Sequence, residues 1–306
     1  MQLSEPKCVV PAGDRCGEAP VWCLEEQAVY WVDVNRFLIH RYDTAEASVK
    51  SWFFAEPVTA LAMTTAEGML AVALGSRVIF WTPRTDERRD QGFRLDGWPG
   101  VRLNEGRADP RGSLWVGSMR NNVGPDGAPG KSGGEDGVLY RIDPDGSVTE
   151  WKRAIGISNT MTWSPDRRRF YFADTLKNTV YVYDYDYATG AIGNERPFFT
   201  GFPRGSPDGS AMDSEGYLWN CRHGGGSIVR VAPDGAIDRV IEMPAVNMTS
   251  CTFGGADYRT LYATSASLGG PPGDRLGGSL FAIEVSVPGM AENRFKFAGS
   301  PPVSRR

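Results

Sequence analysis

Short runs of alternating apolar and polar residues, separated by turns rich in glycine, proline and aspartate, occur along the whole chain. Alternation with a period of two residues is typical of half-buried β-strands, and the intervening residues are typical of tight turns. We find no segment that repeats apolar residues at the spacing of an amphipathic helix. The pattern therefore predicts an all-β protein with little helix.

The strands fall into six similar units, each built around an apolar and aromatic core that follows a turn. The cores read EEQAVYWVD, TAEGMLAVAL, DPRGSLWVGS, SPDRRRFYFAD, DSEGYLWNC and GADYRTLYATS. Successive cores lie roughly 40 to 55 residues apart, which fits blades of about four short strands. We therefore predict a single domain over residues 1–306, a six-bladed β-propeller around a central channel. The even spacing of the six units argues against the alternative, a pair of β-sandwiches.

Both ends of the chain are expected to take part in closing the ring. We expect the N-terminal strand near Lys7–Val10 to complete the last blade beside a C-terminal strand near Phe295–Ala298, because closure removes exposed sheet edges. The final segment, SPPVSRR, is expected to fray. The longest loop, from Met119 to Gly137, is interpreted as a lid or binding loop over one face. The alternative for its middle part is a floppy insertion.

Polar side chains recur at one position of the repeats, about a dozen residues before the strand core. In blade order the aligned residues are Glu18, Val58, Asn104, Asn159, Asp208 and Thr249. A repeat architecture around an axis brings equivalent positions together, so the carboxylate and amide side chains of this set are expected to converge at the channel. Such oxygens suit Ca²⁺, Mg²⁺, Mn²⁺ or Fe²⁺, and a pliable site also accepts Zn²⁺. For any single Asn or Asp the alternative is a turn-forming role.

Composition and charge limit the kinds of molecule that the protein is expected to bind and the compartment in which it is expected to work. The formal net charge is −4 with no basic run, which argues against nucleic acid as a partner. No run of about 18 apolar residues predicts a membrane span, and the N-terminus lacks the pattern of a secretory signal, so a cytoplasmic location is expected. The five cysteines lack CxxC and zinc spacing and are interpreted as reduced, structural thiols. We expect a monomer or a weak homo-oligomer.

Five segments resemble the signature segments of the gluconolactonase/senescence-marker-protein (regucalcin-like) family. They read GEAPVW, RLNEGRADPRGSLWVGSM, GISNTMTWSPD, PDGSAMDSEGYLW and TSCTFGGADYRTLY, and the match runs through all six units. The resemblance implies a six-bladed propeller with one divalent metal ion in its central channel. It also implies a lactonase, a carboxylic ester hydrolase that opens a sugar-acid lactone to the aldonic acid.

The resemblance further implies roles for individual residues. Glu18, Asn159 and Asp208 would be the direct metal ligands, and Asp208 would also be the general base that accepts a proton from the attacking water. Asn104 would lie close to the metal, as a ligand through water or as a substrate contact. Arg102 would bind the sugar hydroxyls or the lactone oxygens. In this hypothesis the metal polarises the lactone carbonyl.

The chain departs from the family pattern at the mouth of the pocket. Glu105 replaces a shorter acid, and Arg120, Asn121 and Asn122 follow the GSM segment, where some members carry a glutamate. His223 stands where many members have an aromatic residue. We include Asn121, Asn122 and His223 among the expected substrate contacts, with a pocket-wall role as the alternative for His223. A serine-histidine-aspartate triad is not expected, because no GxSxG motif occurs.

Two other functions stay open at this stage. A metal-dependent phosphotriesterase or aryl esterase would use the same cation on a phosphoryl or ester oxygen. A non-catalytic propeller that binds calcium or a partner protein would share the fold. Arg102 beside Asn104 favours a polyhydroxylated substrate over an apolar ester, and the open set of oxygen donors favours an enzyme over a closed calcium cage. The sequence names neither the sugar lactone nor the metal.

Overall fold

The computed structural model describes residues 2–297 of the chain. Its first strands are β1 (Lys7–Val10), β2 (Gly17–Cys23), β3 (Ala28–Asp33), β4 (Leu38–Asp43), β5 (Ser48–Phe53), β6 (Val58–Met63), β7 (Leu70–Leu74), β8 (Arg77–Thr82), β9 (Glu87–Arg94), β10 (Val101–Ala108), β11 (Leu114–Arg120), β12 (Gly137–Ile142) and β13 (Val148–Ile155). The remaining elements are β14 (Ser158–Trp163), β15 (Arg169–Asp174), the 3₁₀ turn Thr175–Lys177, β16 (Thr179–Tyr185), β17 (Ile192–Thr200), β18 (Ser206–Met212), β19 (Leu218–His223), β20 (Ser227–Val231), β21 (Ile237–Glu242), β22 (Asn247–Gly254), β23 (Thr260–Ala266) and β24 (Leu280–Glu284).

These strands form six sheets of four strands each. Five sheets take their strands in chain order, from β2–β5 to β18–β21, and the sixth has the order β22-β23-β24-β1. The first strands of neighbouring sheets, β2, β6, β10, β14, β18 and β22, contact one another in a closed ring. The prediction of an all-β, six-bladed propeller is confirmed. Over the described range the single helical element is the 3₁₀ turn, so no helix there has the length and apolarity needed to cross a membrane.

The hydrophobic pattern sorts the strands of each blade by depth. The first two strands of every blade are almost wholly buried, whereas the fourth strands β5, β9, β13, β17 and β21 are mostly exposed. The continuous apolar runs of the inner strands therefore pack blade against blade. The alternating runs face a neighbouring blade on one side and solvent on the other.

Buried tryptophans hold the second strands of three blades. Trp31, Trp115 and Trp219 are fully buried, and each indole N–H donates to an aspartate that precedes it in the chain. For Trp115 the acceptor is Asp109 Oδ2 at 3.0 Å. Asp109 Oδ1 accepts the backbone N–H groups of residues 111–113, so the same carboxylate also forms the turn before the strand. The DPRGSLW segment thus encodes both its turn and the anchor of its blade.

The N-terminal strand β1 is the fourth strand of the last blade, but its partner is a different strand from the one expected. The N-terminal strand β1 pairs antiparallel with β24, Leu280–Glu284, and the expected pairing with residues near Phe295–Ala298 is wrong. Strand β24 ends at Glu284, and the chain then crosses the propeller, with Gly289 forming a bridge with Asp213 just after β18. Phe295 instead forms a bridge with Thr64, next to β6. Residue 298 and the SPPVSRR segment lie outside the described residues.

The C-terminal segment 286–297 covers the end of the channel at which the inner strands finish. It contacts the ends of β18 and β6 through backbone hydrogen bonds to Met212 and Met63. Within the channel, Glu292 accepts hydrogen bonds from Arg107 Nη1 at 3.1 Å and Thr252 Oγ1 at 2.7 Å. A cavity of about 100 Å³ remains beside these side chains. A small molecule therefore reaches the channel from the opposite face, where the inner strands begin.

Candidate active site

All six inner strands carry one extra residue near their beginning, which shifts their pairing with the second strand. The shift follows Glu18 on β2 and Asn159 on β14, and it spans Asn104–Glu105 on β10 and Asp208–Gly209 on β18. Bulges turn side chains away from the regular alternation and often lie next to active sites. The four polar residues expected to converge therefore all sit at, or directly before, a bulge that faces the channel.

Two of these bulges hold strained backbone. Ala19 has φ 47° and Thr160 has φ 46°, in the left-handed region that non-glycine residues rarely adopt. Each follows directly on a residue expected at the site, Glu18 or Asn159. Thr160 Oγ1 also donates to the carbonyl oxygen of Asp208. The strained residues thus lie where the backbone orients the side chains of Glu18 and Asn159, and the hydrogen bond of Thr160 connects β14 to β18.

The four side chains come together as two linked pairs. Asn104 Nδ2 donates to Asn159 Oδ1 over 3.2 Å. The carboxyl groups of Glu18 and Asp208 lie near enough for the negative charge of Asp208 to raise the pKa of Glu18. Arg102 connects the pairs, because it donates to Asn104 and its positive charge acts on Glu18. The structure therefore places Glu18, Asn104, Asn159 and Asp208 at one end of the channel.

The two carboxyl groups occupy an environment that disfavours their charge. Burial raises the pKa of Glu18 well above its usual value, and the negative charges of Asp208 and Glu105 add to the effect. Burial likewise raises the pKa of Asp208, with Glu105 as the next cause. Among the described residues neither Glu18 nor Asp208 belongs to a salt bridge, and the buried Oδ1 of Asp208 has no hydrogen-bond partner. The half-buried carboxyl of Glu18 and the buried carboxyl of Asp208, neither of them in a salt bridge within the described range, need a proton or a cation.

The donor set fits a hard divalent cation. Glu18 and Asp208 offer carboxylate oxygens and Asn159 offers an amide oxygen, and all three are oxygen ligands of the kind that such ions prefer. Residues 2–297 contain no group of three or more His, Cys, Asp or Glu side chains arranged for a metal. A metal here would accordingly be held by two carboxylates and an amide, with positions left for water or substrate. The unpartnered oxygen of Asp208 is the feature that such an ion would satisfy.

Arg102 is occupied by protein groups to a degree that the sequence did not indicate. Its guanidinium is buried, and it donates to Asn122 Oδ1 through Nε at 3.1 Å and Nη2 at 2.8 Å. Nη1 donates to Asn104 Oδ1 at 2.6 Å and to the carbonyl oxygen of Leu103 at 2.9 Å. Of the five N–H groups of arginine, one is left for a ligand. Burial lowers the pKa of Arg102 to about 10, against the opposing effect of Cys16 and Glu18. In this structure Arg102 first of all orients two amides.

The other expected substrate contacts lie at the mouth of the channel. Asn122 Nδ2 donates to Ser132 Oγ at 3.0 Å, so this side chain joins Arg102 to the long loop. Asn121 uses its amide for the backbone, donating to the Pro99 carbonyl and accepting from the N–H of Val123. The ring of His223 is exposed at the end of β19, and desolvation by the surrounding protein lowers its pKa. We therefore find Asn122 and His223 near the mouth, and Asn121 bracing a turn.

The long loop between β11 and β12 is fastened to neighbouring blades. Asn35 Nδ2 donates to the carbonyl oxygen of Gly127 at 2.9 Å, and Lys177 Nζ lies 3.3 Å from Glu135 Oε1. Gly127 has φ +77°, and a Cβ there would lie 1.9 Å from the carbonyl oxygen of Asn35. These contacts span the first, third and fourth blades. The loop therefore lies over the face at which the inner strands begin.

Two charged residues near Asp208 were not among the site residues predicted from the sequence, although Glu105 was noted at the mouth of the pocket. Glu105 is buried on the β10 bulge, and it raises the pKa of both Glu18 and Asp208. Arg222 is 1% exposed and makes no salt bridge within the described residues; it donates to Asn220, Asn178 and the carbonyls of residues 204 and 205. Burial lowers its pKa to about 10, and Asp208 opposes that shift. An arginine in the apolar LWNCR run was the available sign of a buried guanidinium.

Comparison with known proteins gives concordant matches along the chain. The family model described as SMP-30/Gluconolactonase/LRE-like region matches residues 16–267. The pentonolactonase XacC of Haloferax volcanii is 34% identical over 296 residues, which cover 94% of this chain and 96% of that protein. The 6-deoxy-6-sulfogluconolactonase of Pseudomonas putida is 34% identical over 303 residues, covering 94% and 98%.

A solved structure shares the whole architecture. The calcium-binding protein regucalcin of Agrobacterium tumefaciens superposes with a TM-score of 0.88 at 26% sequence identity. The similarity covers 96% of this chain and 98% of that one. The relatives thus match over nearly their full length, and the matched segment contains every residue placed at the candidate site.

Proposed function

The chain belongs to the SMP-30/gluconolactonase/LRE-like family, and on that premise we propose that it is a metal-dependent lactonase that hydrolyses a sugar-acid lactone to the aldonic acid. The observation that carries the proposal is the pair of carboxyls of half-buried Glu18 and buried Asp208, with an Asp208 oxygen that has no partner among the described residues at the open end of the channel. Two relatives named for lactone hydrolysis, at 34% identity, support the same substrate class.

In this proposal Glu18, Asn159 and Asp208 hold one divalent metal ion, which is Ca²⁺, Zn²⁺, Mn²⁺, Mg²⁺ or Fe²⁺. When bound, the ion supplies Lewis-acid polarisation of the lactone carbonyl. The Glu18 carboxyl is held in place by the N–H of Ala19, which donates to its Oε2 over 3.1 Å. Asn159 Oδ1 is held by Asn104. The protein thereby fixes its oxygen donors before any ligand arrives.

Asp208 is the proposed general base. Its buried Oδ1 has no partner among the described residues, and its main-chain carbonyl accepts a hydrogen bond from Thr160, so one carboxyl oxygen is free while the backbone is fixed. Asp208 accepts the proton of the attacking water as the water oxygen bonds to the carbonyl carbon. The bond from that carbon to the ring oxygen then breaks, and the ring oxygen leaves with a proton as the new hydroxyl group.

The side chains at the mouth orient the sugar. The remaining N–H of Arg102, the Oδ1 atom of Asn104 and the second Nδ2 hydrogen of Asn122 are the polar groups proposed to meet the ring hydroxyls. His223 is exposed at the same mouth. Asn121 enters the proposal only as a brace for the loop that carries Asn122. Holding the lactone in one orientation supplies part of the rate by proximity.

The test is proton release at neutral pH from a panel of five- and six-membered sugar lactones. Metal-stripped protein is assayed alone and with each of the five ions restored separately. We expect hydrolysis above the spontaneous rate for at least one lactone, in the presence of one ion. The same preparations are offered an aryl ester and a phosphotriester. Hydrolysis of these alone, or of nothing at all, contradicts the lactonase proposal.

A further inference from the structure

A series of hydrogen bonds runs through the candidate site and includes a residue with no assigned role, Thr175. Arg102 Nη1 donates to Asn104 Oδ1 at 2.6 Å, and Asn104 Nδ2 donates to Asn159 Oδ1 at 3.2 Å. Asn159 Nδ2 donates to Thr175 Oγ1 at 2.9 Å. Thr175 Oγ1 donates in turn to the carbonyl oxygen of Pro207 at 2.8 Å. This series of hydrogen bonds therefore links the third, fourth and fifth blades.

Every bond in this series has a fixed direction. A guanidinium only donates, so the oxygen of the Asn104 amide must face Arg102 and its nitrogen must face Asn159. The carbonyl of Pro207 only accepts, so the single hydroxyl proton of Thr175 is used on that side. The oxygen of Thr175 is then available only as an acceptor, and it takes the N–H of Asn159. The Arg102 end and the Pro207 end of this hydrogen-bond series thus both require Asn159 to turn Oδ1 toward the site.

Thr175 is itself rigidly placed. It begins the 3₁₀ turn Thr175–Lys177, for which the Asp174 side chain is the N-terminal cap, accepting from the N–H of Leu176. The backbone N–H of Thr175 donates to the carbonyl of Ile157, which lies just before β14. The hydroxyl of Thr175 is therefore held between the two strands that carry Asn159 and Asp208.

We propose that Thr175 is a positioning residue that fixes the Asn159 amide with Oδ1 toward the metal and joins it to the backbone before Asp208. The inference rests on the proposed function. Without the hydroxyl, a partly buried N–H of Asn159 loses its acceptor and the side chain rotates to find another. Asn159 Oδ1 is then no longer directed toward the metal. Outer partners of metal ligands act in this way in other metal sites.

The test compares Thr175→Val, which keeps the shape of the side chain and loses the hydroxyl, with Thr175→Ser, which keeps the hydroxyl. Thr179→Val is the matched control, because within residues 2–297 the Thr179 hydroxyl bonds only to Lys177 and Thr200. Binding of Ca²⁺, Mg²⁺, Mn²⁺ and Zn²⁺ to each metal-free protein is measured by calorimetry, without substrate. For the ion that the unaltered protein binds, we expect Thr175→Val to weaken affinity about 10- to 100-fold. Thr175→Ser and Thr179→Val should bind as the unaltered protein does.

Repeating the comparison in the Asn159→Asp protein separates an effect on the orientation of residue 159 from a general loss of stability. A carboxylate at position 159 presents oxygen on both sides, so Asn159→Asp removes the need for a fixed amide orientation. In that background Thr175→Val should no longer weaken binding beyond Thr175→Ser. Equal affinities of Thr175→Val and the unaltered protein would overturn the inference while the proposed function stands. Failure of the unaltered protein to bind any of the ions would overturn the metal site and this inference together.

Discussion

Replacement of Arg102 by lysine tests whether this residue binds the substrate alone or also orients the site. The guanidinium makes four hydrogen bonds, two of them to Asn122 and one to Asn104. A lysine ammonium lacks the planar fork and cannot serve both amides. The bond to Asn104 is a charge-assisted hydrogen bond, worth about 1.5–3 kcal/mol. Loss of that orientation should lower kcat by about 10- to 150-fold, since about 1.4 kcal/mol corresponds to a factor of ten.

The assay is initial-rate kinetics on the lactone that the panel identifies, at saturating metal. Asn122→Ala is the informative comparison, because it leaves the bond between Arg102 and Asn104 in place and removes only the contact to the loop. We expect Asn122→Ala to raise KM with little change in kcat, and Arg102→Lys to change both constants. If Arg102→Lys raises KM and leaves kcat unchanged, the orienting role deduced from the hydrogen bonds is refuted.

Three further predictions concern stability and the loop. Because burial raises the pKa of both site carboxyls in the folded state, their contribution to the stability of the metal-free protein should be lost as the pH rises through those pKa values. Thermal melts across pH should show this loss without metal and not with it. Asp109→Ala should lower stability by about 1–3 kcal/mol for each of the Trp115 and Tyr185 donors it strands, measured by urea unfolding, with unchanged metal affinity. Gly127→Ala should clash with Asn35 and raise KM, whereas the open Gly193→Ala should not.

The blade pattern was visible in the sequence because several blades repeat the same arrangement of a turn followed by a buried strand. A turn aspartate such as Asp109 fixes a tryptophan such as Trp115, and the apolar strand that contains it packs between blades. Ring closure was not visible in the same way. Both β24 and the segment around Phe295 have apolar alternation, yet only β24 pairs with β1, whereas Phe295 forms a bridge with Thr64.

The candidate site was predictable as far as equivalent positions converge. Glu18, Asn104, Asn159 and Asp208 were found from their place before the strand cores, yet two of them lie in the bulges and two directly before them. Residue spacing cannot distinguish these places, because a bulge is a local departure from strand pairing. The sequence also gave no sign of Thr175, whose role depends on contacts between three blades.

The account depends most directly on one metal ion, held by Glu18, Asn159 and Asp208, being required for lactone hydrolysis. The decisive measurement follows bound metal and lactonase rate together as metal is returned to stripped protein, and repeats both on Asp208→Ala. The account predicts that activity rises in proportion to metal up to one ion per chain, and that Asp208→Ala loses both. Turnover that persists in Asp208→Ala with its metal retained would contradict it.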